Sequence, residues 1–563
     1  MLKKGLFTIL VYLAGTLAVQ AFQVVITEIL PDPSPAIGLP AEEFIELTNI
    51  SGKTIDISRW QLSNGRTRSK FPDSIYLPAD NILIICAAKS ADQFTPFGRT
   101  LGLTQFPALS NEIDTIILSN ASGETISVVA YSDKLYTLDF PSSGRSLEMI
   151  NLQYACSFQN NWAPSLSGSG GTPGKSNSHI NAPEKDRHFT LLYAFCQTDT
   201  TVILVFDDKI DASTIIPPGA IQTDPALQLS SLSITGDLQN RLECTLSRPL
   251  VTGQITEIWT NGITSCLQAN PGGNSRVKFG LPDTGITAMV INEILFDPSP
   301  DGADYLELFN PSANLINLQN ITLANRKKLG DISSISPISN EPRCIFPRDY
   351  LVFTTKPEWI SRQFLVKDPA KIIAVESLPS WPNESGTVVL QNKDGTIIDE
   401  LSYSAAWHFE LLRYTENVAL ERKNPSAKTQ DATNWFTAAM SAGYGTPGYA
   451  NSQQAGIAEA GQKVWLEPTF FSPNGDGMAD LCSLHYHFDQ PGFMLSTRIY
   501  NRSGQLVRTL VNNGLCGITG FFPFDGKDDK KNQLPANVYI VVTDIFSING
   551  QVRNYRLAVT IGY

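Results

Sequence analysis

Charge is scarce in this sequence. Asp, Glu, Lys and Arg make up 17% of 563 residues, and acidic groups outnumber basic ones 54 to 42, giving a formal net charge of -12. No basic stripe is available to neutralise phosphates, which excludes nucleic acid as a partner class, and no polybasic patch is present for anionic lipids. Histidine occurs only five times. The eight cysteines are scattered with no C-x-x-C pair, which excludes zinc ribbons and thioredoxin-like chemistry. The sequence also lacks a G-x-S-x-G elbow, an H-E-x-x-H helix and a G-x-x-x-x-G-K-[ST] loop. With no nucleophile, acid/base pair or metal set in a recognisable pattern, the expectation is that the chain is not an enzyme. After the first twenty or so residues, no apolar run reaches membrane-spanning length.

What is present begins at the N-terminus. Lys3 and Lys4 precede an almost wholly apolar or small stretch, Gly5 to Val19, and Val19-Gln20-Ala21 places small residues at the −3 and −1 positions of a cleavage site. Residues 1–21 therefore read as a secretory signal peptide, and the expected location is secreted or at the cell surface. No cysteine follows the site to take a lipid anchor. Export makes disulfides feasible. Cys86–Cys156, Cys196–Cys244 and Cys482–Cys516 each fall within one expected domain, and buried free thiols are the alternative for each.

The length suggests roughly three to five domains at ~100–200 residues each. A long internal repeat orders them. Val25-Ile26-Thr27-Glu28-Ile29-Leu30-Pro31-Asp32-Pro33-Ser34-Pro35 returns as Val290-Ile291-Asn292-Glu293-Ile294-Leu295-Phe296-Asp297-Pro298-Ser299-Pro300. Glu43-Phe44-Ile45-Glu46-Leu47-Thr48-Asn49 returns as Asp304-Tyr305-Leu306-Glu307-Leu308-Phe309-Asn310. Asp114–Asn120 matches Gly386–Asn392, and Trp162 with Gly171-Thr172-Pro173-Gly174 matches Trp435 with Gly445-Thr446-Pro447-Gly448. Four separated blocks in the same order point to a duplicated unit. Short runs of Val, Ile, Leu, Thr and aromatics alternate with Gly, Pro, Asn, Asp and Ser clusters, and no helical apolar stripe is sustained. The expected fold class is all-β, as tandem sandwiches.

The duplicated unit resembles the lamin tail domain, an immunoglobulin-like β-sandwich also found in exported bacterial proteins. The "INEIL…DPSP" opening, the "ELxN" strand and the closing "W…GTPG" stretch carry the resemblance, over roughly 23–178 and 289–452. An insertion, Ile37 to Ala41, departs from the usual spacing in the first copy and lengthens a loop. Thr200–Phe206 followed by Asp207-Asp208-Lys209-Ile210-Asp211 resembles bacterial Ig-like modules. Phe471-Ser472-Pro473-Asn474-Gly475-Asp476-Gly477, Ile499–Gly504 and the Phe524-Asp525-Gly526 turn resemble the Ig-like C-terminal modules of bacterial surface and flagellar-hook-capping proteins, with Phe524 in place of the usual Trp. In Bacteroidetes-type bacteria such modules serve as sorting signals for outer-membrane (type IX) secretion. The expected division is a signal peptide at 1–21, sandwiches at 22–180 and 287–452, an Ig-like domain at 184–285, a linker at 453–462 and a C-terminal module at 463–563. The resemblance implies a non-catalytic surface or secreted adhesion or scaffold protein with a protein or glycan ligand. The alternatives are an accessory binding protein for a secreted nuclease or phosphoesterase, and a periplasmic scaffold.

Few residues invite a chemical reading. Asn474, Asp476 and Asp480 place hard oxygens two and four residues apart on a Gly-permitted turn, a calcium-loop pattern without the twelfth-position Glu of an EF-hand; an ion-free Asx turn is the alternative. No other cofactor is indicated. His485 and His487, at i and i+2 of a strand, face one side but lack an evident third ligand. Gly168–Gly174 is Gly-rich, yet Pro173 and the absence of a following helix argue for a turn. Glu28, Glu46, Glu293 and Glu307 recur in both copies, so they read as acceptors for turn amides at a sandwich end rather than as a catalytic pair. Asn49, Asn120, Asn320, Asn383 and Asn501 each begin an N-x-[ST] sequence, with little meaning in a bacterium.

Overall fold

A computed structural model of the chain describes residues 24–137, 139–157, 161–179, 189–214, 219–267, 276–283, 288–327, 330–454 and 463–563. The expected signal peptide and most of the expected linker lie outside these residues. The described chain is built of strands, with only two short α-helices, Ala91–Phe94 and Pro357–Gln363. It divides into two compact units, one of residues 1–192, 203–246 and 257–277, the other of 193–202, 247–256 and 278–563.

The first unit contains a sandwich of two sheets. Its six-stranded sheet runs in the order Trp162–Pro164, Leu147–Met149, Val24–Leu30, Phe44–Asn49, Ile82–Ala87, Thr100–Leu103; its four-stranded sheet in the order Thr125–Ser132, Ile113–Ser119, Gln61–Ser63, Arg68–Lys70. The second unit repeats this plan. The six are Trp435–Thr437, Leu420–Arg422, Val290–Leu295, Tyr305–Phe309, Tyr350–Thr354, Ile372–Ala374, and the four are Ile397–Ser404, Ser385–Asn392, Ile321–Arg326, Ile332–Pro337. All pairings in the six-stranded sheets are antiparallel except the last in each, where the edge strand runs parallel to its neighbour after a short helical crossover. The repeat in sequence is thus a repeat in topology, and the chain is a series of immunoglobulin-like β-sandwiches.

The strand Val24–Leu30 is buried at every residue. An antiparallel strand with one wet face would alternate, so both faces of this sheet must be covered. Toward the four-stranded sheet, Ile26, Ile29, Ile45, Leu47 and Ile85 share one core with Leu62, Ile116, Leu118 and Val129, and Trp162 of the six-stranded sheet's own edge joins it. On the opposite face Leu30, Phe44 and Ile84 pack on Phe94 of the short helix. The second sandwich has the same two layers, with Trp435 in the inner core and Leu295 and Tyr305 against Trp359, Ile360 and Phe364 of Pro357–Gln363 outside.

Both copies carry a bulge at the same place in the central strand, between Ile26 and Glu28 and between Ile291 and Glu293. The extra residue puts Thr27 with Glu28, and Asn292 with Glu293, on the outer face. The Ile26 amide donates to Ser127 Oγ (3.1 Å) and the Ile291 amide to Asp399 Oδ2 (2.9 Å), both on the facing sheet. The bulge therefore also ties the two layers together.

In the segment between the repeats, Ile221–Asp224 pairs with Thr256–Thr260 and Leu229–Thr235 with Arg241–Leu246, all antiparallel. The C-terminal region is a further sandwich. Lys463–Glu467, Cys482–His487 and Thr519–Phe524 face a five-stranded sheet ordered Phe470–Phe471, Val552–Ile561, Asn537–Ser547, Phe493–Tyr500, Leu506–Leu515. Phe524, standing where a Trp was expected, packs edge-on to Phe471 with ring centroids 5.6 Å apart.

The disulfide expectations are corrected. Cys156 bonds to Cys266, not Cys86, while Cys86, Cys196, Cys244, Cys344, Cys482 and Cys516 are buried free thiols. Cys86 faces the outer layer beside Phe94, whereas Cys156 lies on the loop ahead of Trp162, where Ser157 Oγ also donates to Asp208 (2.6 Å) and the Cys266 amide to the Lys209 carbonyl (2.8 Å). Spacing along the chain could not register this return of residues 208–209 and 266 to the first sandwich.

Trp435 is 2% exposed and its indole N–H donates to the Thr429 carbonyl at 2.8 Å. Trp435→Ala is expected to destabilise the second sandwich by about 3–5 kcal/mol, a cavity plus a lost donor. Urea unfolding followed by intrinsic fluorescence checks this, as a lower midpoint at unchanged slope.

Candidate functional site: a buried row of three glutamates

The repeated glutamates meet on the outer face of each six-stranded sheet. Cross-strand register places Glu28 opposite Glu46 on one side and opposite Glu148 on the other. In the second copy Glu293 stands opposite Glu307 and Glu421. All six are 0% exposed. Directly opposed residues on neighbouring strands have Cβ atoms only ~4.5–5.5 Å apart, where like charges repel. A row of three carboxylates is stable there only if donors surround it and protons are retained.

The closing G-T-P-G segment supplies the donors. It crosses the row like a strap. Thr172 N–H donates to Glu28 Oε1 (2.8 Å), its hydroxyl to Glu148 Oε1 (2.9 Å), and Gly174 N–H to Glu46 Oε2 (2.8 Å). Ser146 Oγ adds a bond to Glu28 (2.5 Å), Thr27 Oγ1 one to Glu46 (2.8 Å), and Ser178 both its amide and its hydroxyl to Glu148 (2.6 Å each). In the second copy Thr446 N–H donates to Glu293 (2.9 Å), its hydroxyl bonds Glu293 and Glu421, and Gly448 N–H donates to Glu307 (2.6 Å). Asn292 Nδ2 replaces the Thr27 hydroxyl on Glu307 (2.7 Å), and the Tyr305 hydroxyl bonds Glu293. Ser452 Oγ and the Gln453 amide complete Glu421 (each 2.9 Å).

The glycines of the strap are needed for contact. A Cβ on Gly171 would stand 2.7 Å from Glu28 Oε1 and 2.8 Å from Ser146 Oγ. Gly174 has φ +74°, which aims its amide at Glu46, and a Cβ there would strike the Phe97 carbonyl at 2.2 Å. The sequence expectation that these glutamates accept turn amides therefore holds, although they lie across the face of a sheet and not at its end.

Burial raises the carboxyl pKa of Glu28, Glu46, Glu293, Glu307 and Glu421. Glu28 and Glu307 are pushed well up, first by desolvation and next by the carboxylate opposite, Glu46 and Glu293 respectively. Glu46 and Glu421 rise to about 8, again through desolvation first, with hydrogen bonds pulling the other way. Such acids hold protons near neutrality, as catalytic acids do. Here, though, donors from the strap and from neighbouring side chains occupy the oxygens and no solvent reaches them. The row can hold a fold together; it cannot meet a substrate.

Glu148 and Glu421 escaped the sequence reading. The signal was present: Leu147-Glu148 and Leu420-Glu421 recur fourteen residues before Trp162 and Trp435. They lie on three-residue strands, too short to stand out. The Asn of each "ELxN" strand is also structural. Asn49 is wholly buried, its Nδ2 donating to the carbonyls of Lys53, Leu77 and Pro78 at 2.7–2.9 Å, and Asn310 does the same toward Asn314 and Phe346. The Asn49 sequon is therefore closed to a glycosyltransferase.

Residues 19–133 and 283–405 match the family described as Lamin Tail Domain. Both sandwiches are lamin tail domains. In each lamin tail domain the third glutamate and the strap fall beyond the matched residues, yet they complete the buried row. No curated protein matches the chain. Among solved structures, similarity is found to the N-terminal part of the bacterial S-layer protein SbsC (12% identity, 39% of this chain and 44% of that one, TM-score 0.17). It is also found to PorZ, a surface component of the type-IX secretion system of Porphyromonas gingivalis (9%, 93% and 69%, TM-score 0.16), and to a Ca²⁺-stabilised ice-binding adhesin of an Antarctic bacterium (9%, 96% and 99%, TM-score 0.12). The chain spans about half the length of the S-layer structures it matches. At these TM-scores the likenesses carry no argument about function.

The remaining sequence candidates lie in the C-terminal sandwich. Asn474, Asp476 and Asp480 share an exposed turn in which Asp480 accepts from the Gly475 and Gly477 amides (2.7 and 2.8 Å), Asp476 from the Met478 amide (2.8 Å), and Asn474 Oδ1 from the Asp476 amide (3.0 Å). His485 stacks on Trp465 (centroids 5.3 Å) and leans on Phe521 (5.5 Å), forming a row across three strands with Phe521 53% exposed. Among the described residues no cluster of three His, Cys, Asp or Glu is arranged to hold a metal.

Two outcomes are expected. Thr446→Val removes the hydroxyl shared by Glu293 and Glu421 at nearly constant volume, and should cost about 1–3 kcal/mol in chemical denaturation. The raised acids bind protons in the folded state that the unfolded chain releases above about pH 4.5. Stability should therefore fall as pH rises from about 4.5 through about 8, the range over which Glu46 and Glu421 release their protons. Glu421→Gln, which keeps a neutral amide there, should flatten that slope in melting curves taken at pH 5.5, 7 and 8.5.

Proposed function

We propose that the chain is a non-catalytic exported protein whose tandem lamin tail and Ig-like sandwiches act as adhesion or scaffold units at the cell surface or in the medium. We further propose the four-part division 22–180, 184–285, 287–452 and 463–563, with the last part acting as a sorting module. One observation carries the non-catalytic reading. The three glutamates of each row are enclosed beneath the strap in both copies, and burial pushes the carboxyls of Glu28 and Glu307 well up. The N-terminal Lys3-Lys4 and apolar stretch supports export. For a partner, a protein or glycan, the surface that fits is the Trp465–His485–Phe521 row. Phe521 is exposed and Trp465 and His485 are half-buried beside it, and aromatic faces provide flat apolar area at low entropic cost.

The sorting test needs care, because the C-terminal sandwich is packed on the second lamin tail domain. Phe409 and Phe436 of the lamin tail domain form one apolar cluster with Met494 and Leu515, and Ser441 Oγ lies 2.5 Å from the Tyr486 hydroxyl. Deleting 463–563 uncovers those rings. Surface proteolysis of intact cells should find the full chain accessible or in the medium and the deletion retained in the periplasm. A melting curve of the deletion separates loss of sorting from loss of folding. A full chain held in the periplasm refutes the surface reading and leaves a periplasmic scaffold.

Binding by the aromatic row is tested with Trp465→Ala and Phe521→Ala together. Binding of the purified protein to a glycan array or to an array of purified surface proteins should fall at least about tenfold with an unchanged melting point. A calcium role for Asn474, Asp476 and Asp480 is likewise a proposal. The ion would have to share oxygens that the turn amides now hold, and isothermal titration with Ca²⁺ against Asp476→Asn reads it directly.

A further inference from the structure

Two of the free thiols, Cys196 and Cys344, are brought together by the fold. The Tyr193 hydroxyl donates to the Glu341 carboxylate (2.9 Å), and the Arg343 guanidinium stacks over the Tyr193 ring at 4.3 Å. Residues 193 onward therefore run beside 341–344, and three residues further along each segment stand Cys196 and Cys344. Both engage one backbone unit. The Cys344 thiol points at the Gly280 carbonyl (3.8 Å), and the Gly280 backbone and Cys344 are both among the neighbours that act on the pKa of the Cys196 thiol. Gly280 is wedged in place, since even a Cβ would meet the Gln254 carbonyl and Leu315 Cδ1 at 2.6 Å each. The pair is thus held on a rigid support, with Cys196 4% and Cys344 8% exposed.

We propose that Cys196 and Cys344 form a disulfide when the chain folds in an oxidising compartment, a second long-range crosslink beside Cys156–Cys266 that ties residues 193–196 to the second lamin tail domain. The step is thiol–disulfide exchange. One thiolate attacks a disulfide oxidant, either a small disulfide such as oxidised glutathione or a disulfide oxidoreductase. The second thiolate then attacks the protein sulfur of the mixed disulfide, forming the Cys196–Cys344 bond and expelling the oxidant's remaining sulfur as a thiol. The pair gives up two protons and two electrons, and the oxidant leaves as two thiols. Burial pushes both cysteines up to about 12 in the folded, reduced protein, so thiolate is scarce there and the bond closes as the segments dock rather than afterwards.

The test is a disulfide map. The full chain is unfolded and reduced, refolded in a glutathione redox pair, alkylated in denaturant and digested without reductant. Protein taken directly from an oxidising compartment is mapped in parallel. The expected digest contains a Cys196–Cys344 peptide beside the Cys156–Cys266 peptide, and the intact mass reports four alkylated thiols of the eight cysteines. Cys344→Ser should remove the first crosslinked peptide and leave the second. The Cys156–Cys266 peptide reports native folding in the same sample. If it is present while Cys196 and Cys344 are both alkylated, or while Cys196 is recovered bonded to Cys244, the proposal is overturned.

Discussion

Three carboxyl groups abreast on neighbouring strands, out of reach of water, are the constraint on which each lamin tail domain depends. Left alone they would split the sheet, because desolvation and mutual repulsion both oppose charge at ~5 Å spacing. The strap resolves this by giving amide and hydroxyl donors to each acid, and burial leaves protons to share among them. The arrangement is all or nothing: a half-satisfied buried polar network is worse than an apolar one. This accounts for the strap's two glycines and its threonine in both copies, and for the bulge that turns Thr27 or Asn292 onto the acid face.

The same network fixes the order of layers. Because strap and helix cover the outer face of the six-stranded sheet, its central strands can be buried on both sides, which is unusual for an antiparallel sheet. The inner face is then free to pack on the four-stranded sheet around Trp162 or Trp435. Bulge, strap and tryptophan lie far apart in sequence but form one cooperative unit. The second copy reaches the same end with different groups: Asn292 replaces Thr27 as donor to the second acid, and Asp399 replaces Ser127 as acceptor for the bulge amide, and it adds a buried Arg422–Asp399 pair (3.3 Å) where the first copy has Met149. What is kept is the satisfaction of the acids and not the identity of the satisfying group.

Crosslinking follows a different logic. Cysteines adjacent in expected domains do not bond; Cys156 reaches Cys266 instead, 110 residues on. A disulfide depends on where Cβ atoms arrive in space, and two segments that meet edge to edge leave no periodic trace. The buried row lies between these extremes. Glu28, Glu46, Glu293 and Glu307 were legible because long repeated strands display them. Glu148 and Glu421 were hidden on three-residue strands, where neither alternation nor length gives a signal.

The sequence by itself determined the all-β class, the duplicated unit and its family. Strand periodicity, turn residues and a long repeat are local properties, set by backbone sterics and by the need to bury alternate side chains. Only the tertiary structure decided that three glutamates from three strands share one dry site under the strap, that Asn49 is locked inside a turn, and which cysteines meet. Those facts turn on cross-strand register and loop return, where residues 14 to 153 apart become neighbours, and free energies of desolvation and hydrogen bonding have no meaning until the neighbours are known.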